Sequence, residues 1–290
     1  MPLRKPEVPR HDARAEAVGV EPARAVETVR LAETGSTNAD LLAWVRTATG
    51  TSLAPRLLVA DRQTAGRGRR GRTWHSVAGA SLTFSLAWPM ASNDLSGLSL
   101  AVGVALAEAI DPRPADGLRI GLKWPNDLWL VGPDEPGRKL GGVLIETAPH
   151  GNARVAVIGI GLNVLEQHVG EASSGVAWLR EIDALATPAI LLDRLVPALA
   201  DALQTFEGAG FAAFAPRFAA RDLLRGTTIR CGAEGGTRIE GVAIGVSASG
   251  ELLVRTPAGF EHIVSGEVSV RLGVQGAASA RQPVSGRAPC

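Results

Sequence analysis

Cysteine is scarce in this chain: two occur in 290 residues, Cys231 and Cys290. They lie far apart and stand at no metal-ligand spacing, which excludes a disulfide framework and a thiolate metal site. The five histidines are scattered as well. His75 is therefore read as a surface residue beside a loop, not as a catalyst. No charge of either sign dominates. Lys and Arg number 30 against 29 Asp and Glu, for a net charge of +1. Such a balance supplies no global field to recruit a polyanion. No apolar run is long enough to span a bilayer, and no secretory apolar core follows Met1-Pro2-Leu3-Arg4-Lys5-Pro6. A cytoplasmic, reducing setting is expected, with no membrane partner. No internal repeat is evident.

What is present is local. In the loop Gly66-Arg67-Gly68-Arg69-Arg70-Gly71-Arg72-Thr73-Trp74, four arginines alternate with three glycines. Glycine lets backbone approach a ligand, and arginine offers a planar fork of donors for carboxylate or phosphate. The run satisfies G-x-G-x-x-G, but a dinucleotide fingerprint must open a helix. The following segment, Ser81 to Trp88, alternates like a strand. Nucleic-acid binding is the competing reading of an Arg/Gly run. Near-neutral net charge, with no basic or aromatic stripes elsewhere, weakens it.

Elements are expected as follows. Ser36-Thr37-Asn38 can cap a helix over Ala39–Val45. Leu57–Ala60 is a short buried strand, and Leu95–Ile110 a buried helix. Leu118–Trp124 and Asp127–Val131 are extended, and Gly132 to Gly137 is a turn. Leu140–Thr147 and Arg154–Ile160 are strands, neighbours in one sheet, while Ala189–Phe206 and Phe211–Ala220 are helical. From Gly226 to Leu272 short strands separated by Gly turns suggest a small β-barrel. Its strands are Thr227–Cys231, Ile239–Val246, Leu252–Thr256, His262–Val264 and Val268–Leu272. The expected organisation is a poorly ordered arm over 1–25, a mixed α/β domain over 26–222, a β domain over 223–273 and a disordered tail over 274–290.

Three more segments belong with the loop. Lys123-Trp124-Pro125-Asn126-Asp127 ends one strand and begins another, and its proline forces a bend. Lys139-Leu140-Gly141-Gly142 opens the next strand, and Gly159-Ile160-Gly161-Leu162-Asn163 ends another. Each alone has a bland reading as a solvated lysine, a turn or a common Gly-x-Gly. All of them flanking strands of one sheet, beside a Gly/Arg loop, form a constellation.

These segments, with Gly35-Ser36-Thr37-Asn38 and Gln63-Thr64-Ala65 preceding the loop, resemble those of biotin protein ligases, in the same order and spacing. The resemblance covers about residues 30–272. It implies an α+β fold: a mixed-sheet catalytic domain of the biotin/lipoate ligase type with a small C-terminal SH3-like β-barrel. The reaction it implies has two steps. Biotin carboxylate attacks the ATP α-phosphate to give biotinyl-5′-AMP, and a lysine of a biotin carboxyl carrier protein, as in acetyl-CoA carboxylase, then takes the biotin. Biotin and ATP are the substrates and Mg²⁺ the accompanying ion, with no metal ligands assigned.

The resemblance also implies roles. Ser36, Thr37, Asn38 and Gln63 fall to biotin, with Gly66, Gly68, Gly142, Gly159 and Gly161 lining its slot. Arg67 and Arg69 hold the carboxyl end, and Arg69, Arg72, Asn126 and Asn163 meet the adenylate. Lys139 bridges carboxyl and phosphate, and Lys123 joins the cations that offset anion repulsion. Trp74 either stacks on adenine or is a core residue. Asp127 either orients the acceptor lysine or is a turn carboxylate. About 30 residues precede the Gly35 motif, too few for a DNA-binding domain, so no specific DNA partner is expected; a monomer or homodimer is. A lipoate or octanoyl ligase of the same fold is the alternative enzyme.

Overall fold

The computed structural model describes residues 26–50, 52–112, 119–133, 137–167, 175–232, 239–264 and 269–272. The expected arm over 1–25 and tail over 274–290 lie outside the described residues, as do 134–136 of the predicted turn and Val268 of the last predicted strand.

Seven strands form one mixed sheet: β1 (Glu27–Thr34), β2 (Arg56–Gln63), β3 (Ser81–Met90), β4 (Arg119–Lys123), β5 (Asp127–Val131), β6 (Arg138–His150) and β7 (Ala153–Asn163). Their order is β1-β2-β3-β7-β6-β5-β4. Only β1 and β2 run parallel; the other pairs are antiparallel. Helices cover both faces. The first, α1 (Thr37–Thr47), lays Leu41, Leu42 and Val45 on Leu58, Ala87, Val155 and Val157. Opposite it, α2 (Leu98–Ile110) and α3 (Pro188–Ala209) pack on each other and on the sheet around Phe84, Trp88, Leu106 and Leu195. Helices on both faces explain why β3 is buried almost throughout, with Ser81, Thr83 and Ser85 as its polar positions. A short helix, α4 (Ala215–Ala219), then leads to the second sheet.

That sheet is antiparallel and small: β8 (Thr228–Gly232), β9 (Ile239–Val246), β10 (Leu252–Thr256), β11 (Gly259–Ile263) and β12 (Ser269–Leu272), in the order β11-β10-β9-β8-β12. An α+β class with a separate C-terminal antiparallel sheet is therefore what the chain adopts. The α1 boundary follows from its cap: Ser36 Oγ accepts from the Ala39 N–H at 3.4 Å. The first strand was not anticipated. Its pattern is exposed at nearly every position, and it is held by pairing to β2 alone, so it carries little hydrophobic alternation. Phe211–Ala220 is a 3-10 turn plus five helical residues in place of one helix.

The second sheet shares a continuous core with the first unit through Ile229, Ala243, Leu252 and Val254, and one contact is especially tight. Gly250, with φ at 82°, presses on the α2 N-terminus, where an added Cβ would lie 2.7 Å from the Gly97 Cα. Beside it, Trp124 Nε1 donates to the Gly250 carbonyl at 3.0 Å. Gly250→Ala is expected to destabilise the protein by about 1–3 kcal/mol through backbone strain and this collision. Calorimetry should show Tm falling by several degrees; an unchanged Tm would mean the turn relaxes freely.

Candidate functional site

The ends of β2, β4, β6 and β7 and the N-terminus of α1 converge on a cleft of about 220 Å³, roofed by the Arg/Gly loop. The loop folds back as a hairpin. Gly68 N–H donates to Arg72 O at 2.7 Å, Trp74 N–H to Gly66 O at 2.9 Å, and Arg67 bridges Thr73. Arg70 takes φ 58°, a left-handed conformation that costs a non-glycine residue roughly 1–3 kcal/mol.

One end of the cleft is polar and uncharged. Thr37 N–H donates to Gln63 Oε1 at 2.8 Å, and the Thr37 hydroxyl lies 2.7 Å from Ser85 Oγ. Ser85 Oγ donates to Asn38 Oδ1 at 2.6 Å, and Asn38 Nδ2 donates to Glu146 Oε2 at 2.9 Å and to Leu144 O at 3.3 Å. This chain has one direction. With the Asn38 amide donors spent on Glu146 and Leu144, its oxygen faces Ser85, whose own hydrogen is thereby used. Glycine makes room beneath. A Cβ on Gly159 would strike the Asn38 amide, and one on Gly161 would strike the Trp74 ring.

The other end is cationic. Arg67, Arg69, Arg70, Arg72, Lys123 and Lys139 line the cleft against one carboxylate, Asp127. Asp127 stands at the start of β5, opposite Lys123 on β4 and Gly142 on β6. Lys139 Nζ donates to Asp127 Oδ1 at 2.6 Å. Arg69 Nη1 reaches Asn126 Oδ1 at 3.3 Å, and Asn126 Nδ2 donates to Val143 O at 2.7 Å. Burial pushes the Arg69 pKa below the usual arginine value, opposed by the Asp127 charge. Burial lowers Lys123 too, with Asp127 opposing it and Lys139 and Arg72 adding to the fall.

Most of the residues singled out from sequence meet here. Ser36, Thr37, Asn38, Gln63, Gly142, Gly159 and Gly161 line the uncharged side. Arg67, Gly68, Arg69, Arg72, Lys123, Asn126, Asp127 and Lys139 line the charged side. Two expected residues, Asn163 and Gly66, lie outside the lining. Asn163 is buried behind the wall, donating to Lys139 O at 3.5 Å and accepting from Gln167 at 3.3 Å, and is not part of the cleft lining. Gly66 is buried beneath the loop, where a Cβ would meet Trp74 O. Trp74 lies against Gly161, on the floor of the uncharged side, with its Nε1 buried and without a hydrogen-bond partner among the described residues. Sequence reasoning missed Ser85, Glu146 and the apolar lining of Phe84, Val143, Leu144 and Ile160. Their signal was confined to strand alternation.

The model of the Biotin/lipoate A/B protein ligase family matches residues 36–163, and that of the Biotin protein ligase C terminal domain matches 228–271. The chain is 34% identical over 218 residues to the bifunctional ligase/repressor BirA of Salmonella typhimurium, covering 73% of this chain and 66% of that relative's length. It is 34% identical over 227 residues to the biotin–[acetyl-CoA-carboxylase] ligase of Mycobacterium tuberculosis, covering 77% of this chain and 80% of the relative. Among solved structures, the biotin protein ligase from Aquifex aeolicus in complex with biotin and ATP superposes with a TM-score of 0.70 at 28% identity, covering 85% of this chain and 99% of the other.

Asn38→Ala removes the central amide of the buried chain and strands Ser85 and Glu146. A loss of about 1–3 kcal/mol is expected for the polar groups left unpaired. Chemical denaturation should show it as a lower midpoint at constant slope; an unaltered midpoint would mean that water replaces the amide.

Proposed function

We propose, from the premise that this chain belongs to the biotin/lipoate A/B protein ligase family, that it is an ATP-dependent biotin protein ligase. The observation that carries the reading is the two-ended cleft: an uncharged hydrogen-bonding slot opens directly onto six cations and one carboxylate. A substrate suited to it has a neutral, polar head and an anionic tail that must meet a polyanion. Biotin and ATP are such a pair, with a ureido ring at one end of biotin and a carboxylate at the other.

In this reading the ureido group enters beside Thr37 and Gln63. The Gln63 oxygen is spent on the Thr37 backbone, so its amide hydrogens are free to donate to a urea oxygen, while hydroxyls accept from the urea N–H groups. Trp74 and the glycines at 159 and 161 wall the bicyclic ring, which assigns Trp74 to biotin instead of adenine. The carboxylate then lies among Arg67, Arg69 and Lys139, close to the α-phosphate. Holding the two anions in contact, and stabilising the charge that builds on the α-phosphate, supply most of the acceleration. The carboxylate oxygen bonds to phosphorus, and pyrophosphate leaves with the electron pair of the broken P–O bond. In the second step the amine of a carrier lysine attacks the acyl carbon and AMP departs. Asp127, next to Lys139, is the carboxylate available to orient that amine and take its proton.

No group of three or more His, Cys, Asp or Glu side chains among the described residues could hold a metal. Asp127 is already paired to Lys139. A resident metal centre therefore does not fit these residues, and Mg²⁺ belongs to the reading as the ion carried by ATP. We assign residues 26–222 to catalysis and 223–273 to the C-terminal unit. The acceptor is a biotin carboxyl carrier protein in a cytoplasmic setting.

Incubation with biotin, Mg·ATP and a biotin carrier domain is expected to add one biotinyl mass to one carrier lysine, read by mass spectrometry. Lipoate run in parallel separates the sister chemistry; lipoyl addition in place of biotinyl would overturn the reading. Lys139→Ala removes a charge-assisted contact of about 1.5–3 kcal/mol, so pyrophosphate release should fall roughly ten- to a hundredfold or more with little change in Tm. Near-normal release would remove Lys139 from the first step. Arg69→Ala should loosen the closed loop and let the adenylate escape. The sign is biotin on bystander lysines, and retained single-site labelling would exclude Arg69 as a clamp.

A further inference from the structure

We propose that Trp129 is a positioning residue for Lys123: its indole face seats the ammonium so that the lysine presents an uncancelled charge to the nucleotide. The inference rests on the ligase reading for its consequence and on geometry alone for the seat. Lys123 Nζ stands 4.2 Å from the centroid of the Trp129 ring. Trp129 lies on β5, paired with Gly121 of β4 and Lys139 of β6, while Lys123 pairs with Asp127. Directly paired residues, and residues two apart on a strand, share a sheet face. Lys123, Asp127 and Trp129 therefore form one group, with Lys139 at its edge.

Two ammonium groups meet one carboxylate in that group. Lys139 takes Asp127 at 2.6 Å. A second carboxylate would hold Lys123 equally well, but it would cancel the charge that an incoming phosphate needs. An aromatic face attracts a cation through its quadrupole and carries no net charge. It holds the amine in place and leaves its field intact.

The ring itself is unusual as packing material. It is 4% exposed, and its Nε1 is buried without a hydrogen-bond partner among the described residues. Burying an unpaired N–H is costly, and a leucine or phenylalanine would fill a core position without that cost. Gly137 packs beside it: an added Cβ would lie 2.8 Å from Val131 Cγ1 and 3.1 Å from Trp129 Cε3, so the ring edge is closely walled. Burial also lowers the Lys123 pKa, which makes a seat that favours the charged form useful.

The test uses the whole chain and three proteins: wild type, Trp129→Leu and Trp129→Phe. The seat is read without any substrate, by NMR of isotope-labelled lysine, with the Lys123 signal assigned through Lys123→Arg. Its ε-methylene protons should lie upfield from the ring current in wild type, move to ordinary positions in Trp129→Leu and stay upfield in Trp129→Phe. In adenylation, Trp129→Leu should raise KM for Mg·ATP by about two- to thirtyfold, the span of a cation–π contact. Biotin affinity should be unchanged, and Trp129→Phe should recover most of the loss. An ordinary Lys123 shift in wild type overturns the seat. An unchanged KM for ATP, or biotin and ATP affinities falling together without rescue by phenylalanine, overturns its role. If wild type fails to adenylate biotin, the ligase reading fails while the spectrum still decides the seat.

Discussion

Mutual repulsion among six cations is the constraint around which this site is built. Two unit charges 4 Å apart interact by roughly 4 kcal/mol at the effective dielectric of a protein surface and by about 1 kcal/mol in water. A cluster this dense therefore works against the folded state unless each charge is held by something. The chain uses four different devices. Asp127 takes Lys139. The Trp129 ring takes Lys123. Asn126 takes Arg69 through its neutral oxygen. The exposed arginines at 67, 70 and 72 are left to water. Only one of these devices cancels charge, so the cleft keeps its positive field. Ligands that bring negative charge should relieve the repulsion and stabilise the folded state by binding to it.

The uncharged end needs the opposite solution. There the danger is an unpaired buried dipole, and a continuous chain of partners meets it, from Glu146 through Asn38 and Ser85 to Thr37 and Gln63. From Glu146 to the Thr37 hydroxyl each hydrogen bond sets the direction of the next, while the Thr37 backbone N–H independently turns the Gln63 oxygen toward itself. A urea, which both donates and accepts, can be read only by a surface with fixed polarity. The slot and the cationic rim thus rely on different physics, directional pairing on one side and summed charge on the other, and they meet at Lys139 and Gly142.

Much of this was legible in the chain because the site is made of contiguous segments. The Arg/Gly loop, the bend from Lys123 to Asp127 and the two glycine pairs each declare themselves by composition, and strand ends bring them together. The interior supports were not legible. Ser85, Glu146 and Trp129 are single residues in alternating strands, where a polar or aromatic side chain looks like any other sheet position; only the register shows that they face the motifs. Asn163 illustrates the reverse case. It ends a motif, yet the last residue of β7 turns behind Lys139. The strand β1 was missed because an exposed edge strand needs no apolar alternation, whereas α1, β3 and the second sheet carried caps, burial or Gly turns that identify them.

The docking of the second sheet acquires its meaning from the same bend. Trp124 lies between Lys123 and Asn126, its ring is buried, and its indole N–H donates to the Gly250 carbonyl. The bend that aims Lys123, Asn126 and Asp127 into the cleft is therefore pinned from outside by the C-terminal unit. Gly250 has no Cβ because the turn must approach the start of α2 this closely, and Ser99 on α2 donates to the Pro125 carbonyl. Two separate segments of chain, the Gly250 turn and the start of α2, thus converge on the bend. The bend carries three side chains of the cleft, Lys123, Asn126 and Asp127, and a shift of one ångström would separate Lys123 from its ring or Asp127 from Lys139. The small sheet thus helps to fix the position of the bend, and through the bend the positions of the charges.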